Sequence, residues 1–268
     1  MNLFPHLEWE KLVKKFISII NSNPFIYFLG IAFIFLAWYI ISIAQGYGNI
    51  VFPTPVETLV KTGELLSNAY IYKCIGWTIL RLLIGYSISF VLAMILGVFA
   101  GYYEKFYTFL KPLIIILKSA PTAAFIFLFL ILVGSRFASI FIVVLVTFPI
   151  LYEAAVAGIK NIPDHLNEAL KIDCGNFVYG FIKVRIPLAL PYISVGLLSS
   201  FALGFKTSIM AEIISGDTNY GLGSAITAFR NSDASNLSPI FAITLIAIML
   251  ISLVDIAILL IKRHFKVQ

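Results

Sequence analysis

The chain has 268 residues, of which 60% are hydrophobic and only 12% are charged, and its formal net charge is +6. A soluble globular domain carries roughly 25% charged residues, so this composition excludes an ordinary water-soluble domain. The basic balance is expected to face anionic lipid headgroups, and we expect no nucleic-acid partner for so apolar a chain.

Long uncharged runs recur along the chain, from Phe16 to Val56, Leu82 to Tyr103, Ile186 to Phe205 and Ala234 to Val254. A helix needs about 20 mostly apolar residues to cross the hydrocarbon core of a bilayer. Backbone groups in lipid must bond to one another, which leaves helices or closed barrels, and the short alternating segments of a barrel are not found. The predicted fold class is therefore all-α, a polytopic helical bundle in the membrane.

Six spans are predicted in chain order, and they lie near 24–44, 78–101, 109–133, 138–158, 188–213 and 238–261. The first run is longer than the roughly 7–15 apolar residues of a signal peptide. Residues 1–23 are interpreted as a cytoplasmic segment, and 24–268 as one transmembrane domain without internal repeats. Pro112 and Pro121 in the third span, and Pro149 in the fourth, predict breaks in those helices.

The positions of Lys and Arg predict the orientation, because cytoplasmic loops carry an excess of them. With the N-terminus inside, twelve of the nineteen fall in cytoplasmic segments and four in outside loops. The chain is thus predicted to cross the cell (plasma or inner) membrane several times, with both termini in the cytoplasm. Cys74 and Cys174 then lie on opposite sides of the membrane and cannot pair.

The longest cytoplasmic loop is predicted over about 159–187. Pro163 and Asp164 are typical of a helix start, and Gly175 is typical of a helix end. A loop with its own helices can be a docking surface for a partner, or an amphipathic helix lying on lipid headgroups. The residues alone leave both readings open.

Glu168-Ala169-Leu170, followed after three intervening residues by Cys174, and with Pro187 at the end, resembles the EAA loop of binding-protein-dependent importer permeases. The family pattern has Ala where this chain has Leu170, and Gly where it has Cys174, with Gly175 one place late. The order of further motifs resembles the nitrate, sulfonate and taurine branch of the family. These motifs are Phe52-Pro53-Thr54-Pro55, Thr78, Arg81, Gly85, Gly97, Gly101, Pro112, Lys118 to Pro121, Pro187, Pro191, Ala211-Glu212, Gly221-Leu222-Gly223 and Asp255.

The resemblance implies the fold of a type I ATP-binding cassette (ABC) importer permease, paired with a second permease subunit, most simply an identical one. It implies cytoplasmic ATPase subunits and a solute-binding protein outside the membrane. The implied ATPase-coupling residues are Glu168, Ala169, Leu170, Asp173, Cys174, Gly175 and Pro187. The implied solute is small, an anion such as nitrate, a sulfonate or taurine, or a vitamin precursor. The sequence has no G-x-x-x-x-G-K-[ST], so ATP is expected to bind a separate subunit.

No catalytic or metal-binding constellation is found in the sequence, since His6, His165 and His264 fall in different segments, and no cofactor is expected. The ionisable residues within the spans are more informative. A charge at the bilayer centre costs roughly 3 kcal/mol, so such side chains are expected to face protein or water. Lys118, Lys206 and Glu212 are predicted to line a substrate path, the alternative being structural pairing or snorkelling to the interface.

Arg81, Glu153 and Asp255 lie near span ends, where structural pairing is the favoured interpretation. Gly97 and Gly101 form a G-x-x-x-G that lets another helix approach closely, and packing within one subunit is favoured over a dimer contact.

Two other functional classes stay open at this point. An ion-coupled secondary transporter would also have six spans and buried charges. A membrane enzyme or passive anchor fits less well, because catalytic clusters are missing from the sequence and prolines interrupt the spans.

Overall fold

The computed structural model describes residues 23–44, 52–162, 184–216, 220–233 and 235–265. This part of the chain is helical and contains no strand. Its nine helices are α1 (Asn23–Ala44), α2 (Pro55–Leu66), α3 (Ala69–Tyr102), α4 (Glu104–Ser119), α5 (Thr122–Val133), α6 (Ser135–Lys160), α7 (Ile186–Ser215), α8 (Leu222–Ser232) and α9 (Ser238–Phe265).

Five of these helices, α1, α3, α6, α7 and α9, are long and apolar enough to cross a membrane. The helix α3 has 34 residues, which at 1.5 Å per residue is about 51 Å. The hydrocarbon core is about 30 Å thick, so α3 extends well beyond it. The predicted second span began near residue 78, nine residues after the observed start of the helix at Ala69.

Helices α3 and α6 run side by side in the same direction. A Cβ on Gly85 would lie 3.0 Å from Val143 Cβ, and one on Gly101 would lie 2.6 Å from Ile159 Cβ. Between these contacts, Thr147 Oγ1 donates a hydrogen bond to Ser89 Oγ at 2.8 Å. Each contact joins residues 58 positions apart, so the two helices stay in parallel register along about 24 Å of their length.

The helix α7 runs antiparallel to α6 and completes a three-helix core. Small side chains allow the close approach. A Cβ on Gly158 would meet Ala189 at 2.9 Å, and one on Gly204 would meet Thr147 at 2.9 Å. The core therefore has two ends. We call the one where α3 and α6 finish and α7 begins the loop end, and the opposite one the distal end.

Helices α4 and α5 together form one broken span. They are bent by 97° at a short break, and they lie between the end of α3 and the start of α6. Because α3 and α6 are parallel, those two points are at opposite ends of the core, and the pair must cross from one to the other. The break lies at Ala120-Pro121, where Ala120 is extended (φ −74°, ψ 138°), as expected for a residue before proline. The described helices thus provide the six predicted crossings.

The break predicted at Pro149 is wrong, because α6 continues unbroken through it, and α4 likewise continues through Pro112. A proline inside a membrane helix removes one backbone hydrogen bond without ending the helix. Pro149 is buried, and α6 is held along its length by α3 and α7. Neighbouring helices therefore keep α6 straight enough to continue.

Two short helices at the distal end, α2 and α8, were not predicted. The start of α2 is a capping box, in which Thr54 Oγ1 accepts from the Glu57 N–H at 3.2 Å and the Glu57 carboxylate accepts from the Thr54 N–H at 3.0 Å. Leu65 of α2 and Leu222 of α8 share an apolar cluster with Leu82 of α3 and Ile243 of α9. Both helices thus form a cap on the distal end of the bundle.

The helix α1 lies at the edge of the fold. Most of its side chains from Ile26 to Ala44 are exposed. Its contacts lie near its C-terminal half, where Trp38 Nε1 donates to the Pro53 carbonyl at 3.0 Å and the Trp38 ring lies 6.1 Å from that of Phe241.

Candidate functional site

A buried polar cluster joins α3, α7 and α8 at the distal end. The Glu212 carboxylate of α7 is fully buried. It accepts hydrogen bonds from Arg81 Nη1 at 2.9 Å, from Thr78 Oγ1 at 2.9 Å and from the Gly223 N–H at 3.1 Å. Arg81 Nη1 also donates to the Tyr220 carbonyl at 2.8 Å. The carboxylate is therefore held entirely by groups of the same chain.

Two glycines make room for this cluster. A Cβ on Gly221 would lie 2.6 Å from Glu212 Oε2, and a Cβ on Gly223 would lie 2.4 Å from the Ile209 carbonyl oxygen. The Leu222 N–H between them donates to Thr78 Oγ1 at 2.8 Å. At the start of α8 the Leu222 N–H thus bonds the Thr78 hydroxyl and the Gly223 N–H bonds the Glu212 carboxylate, whose negative charge is the favourable sign for a helix N-terminus.

A second ion pair joins α4 to α6. Lys118 Nζ lies 2.9 Å from Glu153 Oε1 and 2.8 Å from Oε2. Both side chains are about half exposed, at 49% and 50%. The structure describes every residue of α6 between Phe141 and Lys160, and among these residues Glu153 alone is exposed. The pair therefore marks the place where α6 is open to the outside of the subunit.

Lys206 lies on an exposed stripe of α7. The stripe consists of Tyr192, Val195, Ser199, Leu203, Lys206 and Met210, spaced three or four residues apart. Lys206 lies about 8 Å beyond the midpoint of α7 toward the distal end, at 1.5 Å per residue. None of the ion pairs formed by the described residues involves Lys206. Among the three residues predicted for a substrate path, the two lysines are thus exposed and Glu212 is enclosed.

Gly97 and Gly101 both face α6 of the same chain. A Cβ on Gly97 would lie 2.7 Å from Ala155 Cβ and 2.9 Å from the Tyr152 carbonyl oxygen. A Cβ on Gly101 would lie 2.6 Å from Ile159 Cβ. The geometry is therefore packing within one subunit, at the end of α3 that leads to the loop end.

The loop end carries a group of charged and aromatic side chains on either side of residues 163–183. Lys160, the last residue of α6, lies 2.6 Å from Glu104 Oε2, and its Nζ lies 3.8 Å from the Tyr107 ring centroid. Arg185, just before α7, hydrogen-bonds the Tyr102 hydroxyl and lies over its ring, 4.8 Å from the centroid. Both points where the chain enters and leaves the predicted loop thus contact the turn between α3 and α4.

Comparison with known protein families gives a match over most of the chain. Residues 91–267 match the family described as the binding-protein-dependent transport system inner membrane component. The chain belongs to this family. The matched range begins within α3, includes the broken span, α6 and the predicted loop, and continues through α9. The protein is accordingly an ABC transporter permease with several membrane helices, a transport subunit and not a catalytic one.

Named relatives of the permease cover most of its length. A putative aliphatic sulfonates transport permease of Bacillus subtilis is 24% identical over 233 residues, covering 87% of this chain and 83% of the relative. A nitrate import permease of Leptolyngbya laminosa is 29% identical over 206 residues, covering 73% and 72%. A probable ABC transporter permease of Brucella melitensis is 25% identical over 185 residues, covering 69% and 74%.

Most of the predicted coupling residues of the permease, namely Glu168, Ala169, Leu170, Asp173, Cys174 and Gly175, lie outside the described residues. Pro187 is described, and it lies in the first turn of α7, one residue after the helix begins at Ile186. The sequence interpretation paired neither Arg81 with Glu212 nor Glu104 with Lys160. One available signal was the spacing of Thr78 and Arg81, which are three residues apart and therefore share a helix face.

Proposed function

We propose that this permease is the membrane-spanning subunit of an ATP-driven importer for a small anionic solute. It works as a pair of identical chains, with ATPase subunits on the cytoplasmic side and a solute-binding protein on the other. The family match over residues 91–267 carries this proposal, because it includes both the core helices and the loop over about 159–187.

The loop end is the proposed cytoplasmic end and the place where the ATPase subunits bind. The excess of Lys and Arg in the predicted inside segments supports this orientation. Glu168, Ala169 and Leu170 lie in the segment that resembles the family's ATPase-contacting motif. No P-loop sequence occurs in the 268 residues, which supports the proposal that a separate subunit binds ATP.

The exposed stripe of α7 is proposed to face the second permease chain. Lys206 interrupts this otherwise uncharged stripe at a depth where lipid contact is unfavourable for an ammonium group. A polar route between two chains removes that penalty. The stripe thus supplies apolar contacts for pairing and one cation for the route.

The charges of the described part favour an anion along that route. Glu212 is compensated by Arg81, and Lys118 is compensated by Glu153. Lys206 takes part in none of the ion pairs of the described residues, so it adds a positive charge at this depth. Relatives named for nitrate and for aliphatic sulfonates point to the same substrate class.

The decisive experiment has two arms. The first purifies the tagged permease from its native membrane and identifies what remains bound after mild detergent extraction. An ATPase subunit is the expected companion, and a permease that transports solute without any ATPase would be a secondary transporter instead.

The second arm measures uptake of labelled nitrate and of a labelled alkanesulfonate. Each uptake is measured alone, in the presence of the other anion, and in the presence of thiamine-like cations. Uptake that is inhibited by cations and not by anions would refute the substrate class.

A further inference from the structure

Helix α4 is bonded to α6 at both of its ends. Its first residue, Glu104, accepts from Lys160 at the end of α6, and Lys118, one residue before the end of α4, is paired with Glu153. The two anchor points are 14 residues apart on α4 and seven apart on α6. At 1.5 Å per residue these separations are about 21 Å and about 10 Å, so α4 lies obliquely across α6.

The middle of α4 is fastened to the same core by apolar packing. Leu110 and Ile114, its two buried residues, belong to a cluster with Phe148 and Tyr152 of α6 and Ala93 of α3. The helix is unbroken from Glu104 to Ser119 despite Pro112, and it ends where Pro121 bends the span. A short helix that is held in the middle and at both ends moves as one rigid piece.

The end of α3 and the start of α4 contact the chain on both sides of the predicted coupling loop, at Lys160 and at Arg185, which we call the loop roots. Glu104 and Tyr107 hold Lys160 on the incoming side, and Tyr102 holds Arg185 on the outgoing side. The two roots are also adjacent to one another, since Gly158 and Ala189 are in direct contact. Residues 102–107 thus contact both roots, and a displacement of either root is passed to them as well as along α6 and α7.

We propose that α4 links the coupling loop to the substrate route. Glu104 of α4, and Tyr102 just before it at the end of α3, are the positioning residues at one end, and the Lys118–Glu153 pair is the responding group at the other. This inference rests on the proposed function, because it takes the loop over about 159–187 to be the part that the ATPase moves. Movement of the loop roots shifts α4, and this shift changes the distance between Lys118 and Glu153. Lys118 then interacts with the solute in one state and with Glu153 in the other.

The experiment reads the far end of α4 with a thiol probe. Ser119, exposed beside Lys118, is changed to Cys in a chain carrying Cys74→Ala. Cys174 belongs to the predicted coupling loop and is kept, and its labelling is measured in the same chain without Ser119→Cys and subtracted. The labelling rate of Ser119→Cys by a methanethiosulfonate reagent is measured in the complete native complex, without nucleotide and with ATP and orthovanadate. In the parent chain, trapping with ATP and vanadate is expected to change the rate by about fivefold or more, which is the lower end of usual coupling between sites.

Glu104→Lys is expected to abolish that change while the complex keeps its ATPase subunit and its ATP hydrolysis. The double variant Glu104→Lys with Lys160→Glu restores an ion pair and is expected to restore the change. Glu64→Lys is the matched control, because Glu64 forms an exposed pair with Lys61 within α2, away from α4, and it should behave like the parent.

The outcomes distinguish a failure of the role of α4 from a failure of the proposed function. A response in Glu104→Lys equal to that of the parent would overturn the role of α4 and leave the importer assignment intact. A parent complex that lacks an ATPase subunit would overturn the proposed function, and this inference with it. Failure of the double variant to recover would reduce Glu104 to a residue needed for local structure, which also overturns the proposal.

Discussion

The Arg81 guanidinium and the Glu212 carboxylate, 131 positions apart in the chain, form a buried ion pair with a distance of 2.9 Å between Nη1 and Oε1. The pair ties the N-terminal half of α3 to the end of α7, and Thr78 and Gly223 fill the remaining bonding positions of the carboxylate. Taking charges out of water is expensive, and the expense is offset only when the partners are well placed. We therefore expect this pair to be sensitive to the loss of one member.

Arg81→Met should destabilise the permease by about 3–5 kcal/mol, because it leaves the Glu212 carboxylate buried without its partner. Adding Glu212→Leu to Arg81→Met should recover much of that loss, since the uncompensated charge is then removed. The measurement is thermal or denaturant unfolding in detergent. The control is Lys61→Met, which breaks an exposed pair and should change stability by less than about 1 kcal/mol. Equal stability of Arg81→Met and Lys61→Met would contradict the role assigned to the buried pair.

Gly223→Ala should destabilise the distal end by about 1–3 kcal/mol, because its Cβ would lie 2.4 Å from the Ile209 carbonyl oxygen. Gly63→Ala is the matched control. Gly63 is an exposed position in α2 with no atom within 4 Å of an added Cβ, and there alanine should be neutral or stabilising by up to about 1 kcal/mol. The free energy of unfolding of both variants is measured by the same method. Changes of the same sign and size in the two variants would contradict the close contact assigned to Gly223.

The orientation can be tested with single cysteines at two described ends of the core. Asn68 caps the start of α3 at the distal end, and Asn161 follows α6 at the loop end. In intact cells, an impermeant thiol reagent should label Asn68→Cys and leave Asn161→Cys unlabelled until the membrane is opened. The reverse pattern would invert the topology, and labelling of both would contradict a membrane crossing between them.

Lys206→Gln should lower uptake of an anionic solute by about tenfold or more while assembly and ATP hydrolysis persist. A desolvated charge contact contributes about 1.5–3 kcal/mol, and 1.4 kcal/mol corresponds to a factor of ten. Glu153→Gln should raise the affinity for the anionic solute, because it frees the ammonium group of Lys118. Uptake is measured over a range of nitrate and alkanesulfonate concentrations. If both variants match the parent, the lysines serve the structure alone.

The pattern of hydrophobic and charged residues predicted the class of the protein and the number of crossings. Whether a run of about 20 residues enters lipid depends on its own composition, which is a local property. The same reasoning failed at Pro149, because the effect of a proline depends on which neighbours support the helix, and α3 and α7 support α6. It also missed α2 and α8, which are too short to produce a hydropathy signal of their own.

By itself, the sequence determined the membrane-helical class, the approximate spans and the motifs that resemble the permease family. The tertiary structure decided which charges are enclosed and which stay exposed. Arg81 and Glu212 meet only because α7 packs antiparallel to α3 and α6, and Lys118 and Glu153 meet only because α4 packs across α6. Partition of a segment into lipid is governed by its own residues, whereas the partner of a buried charge is governed by helix register, and register arises only when the helices pack.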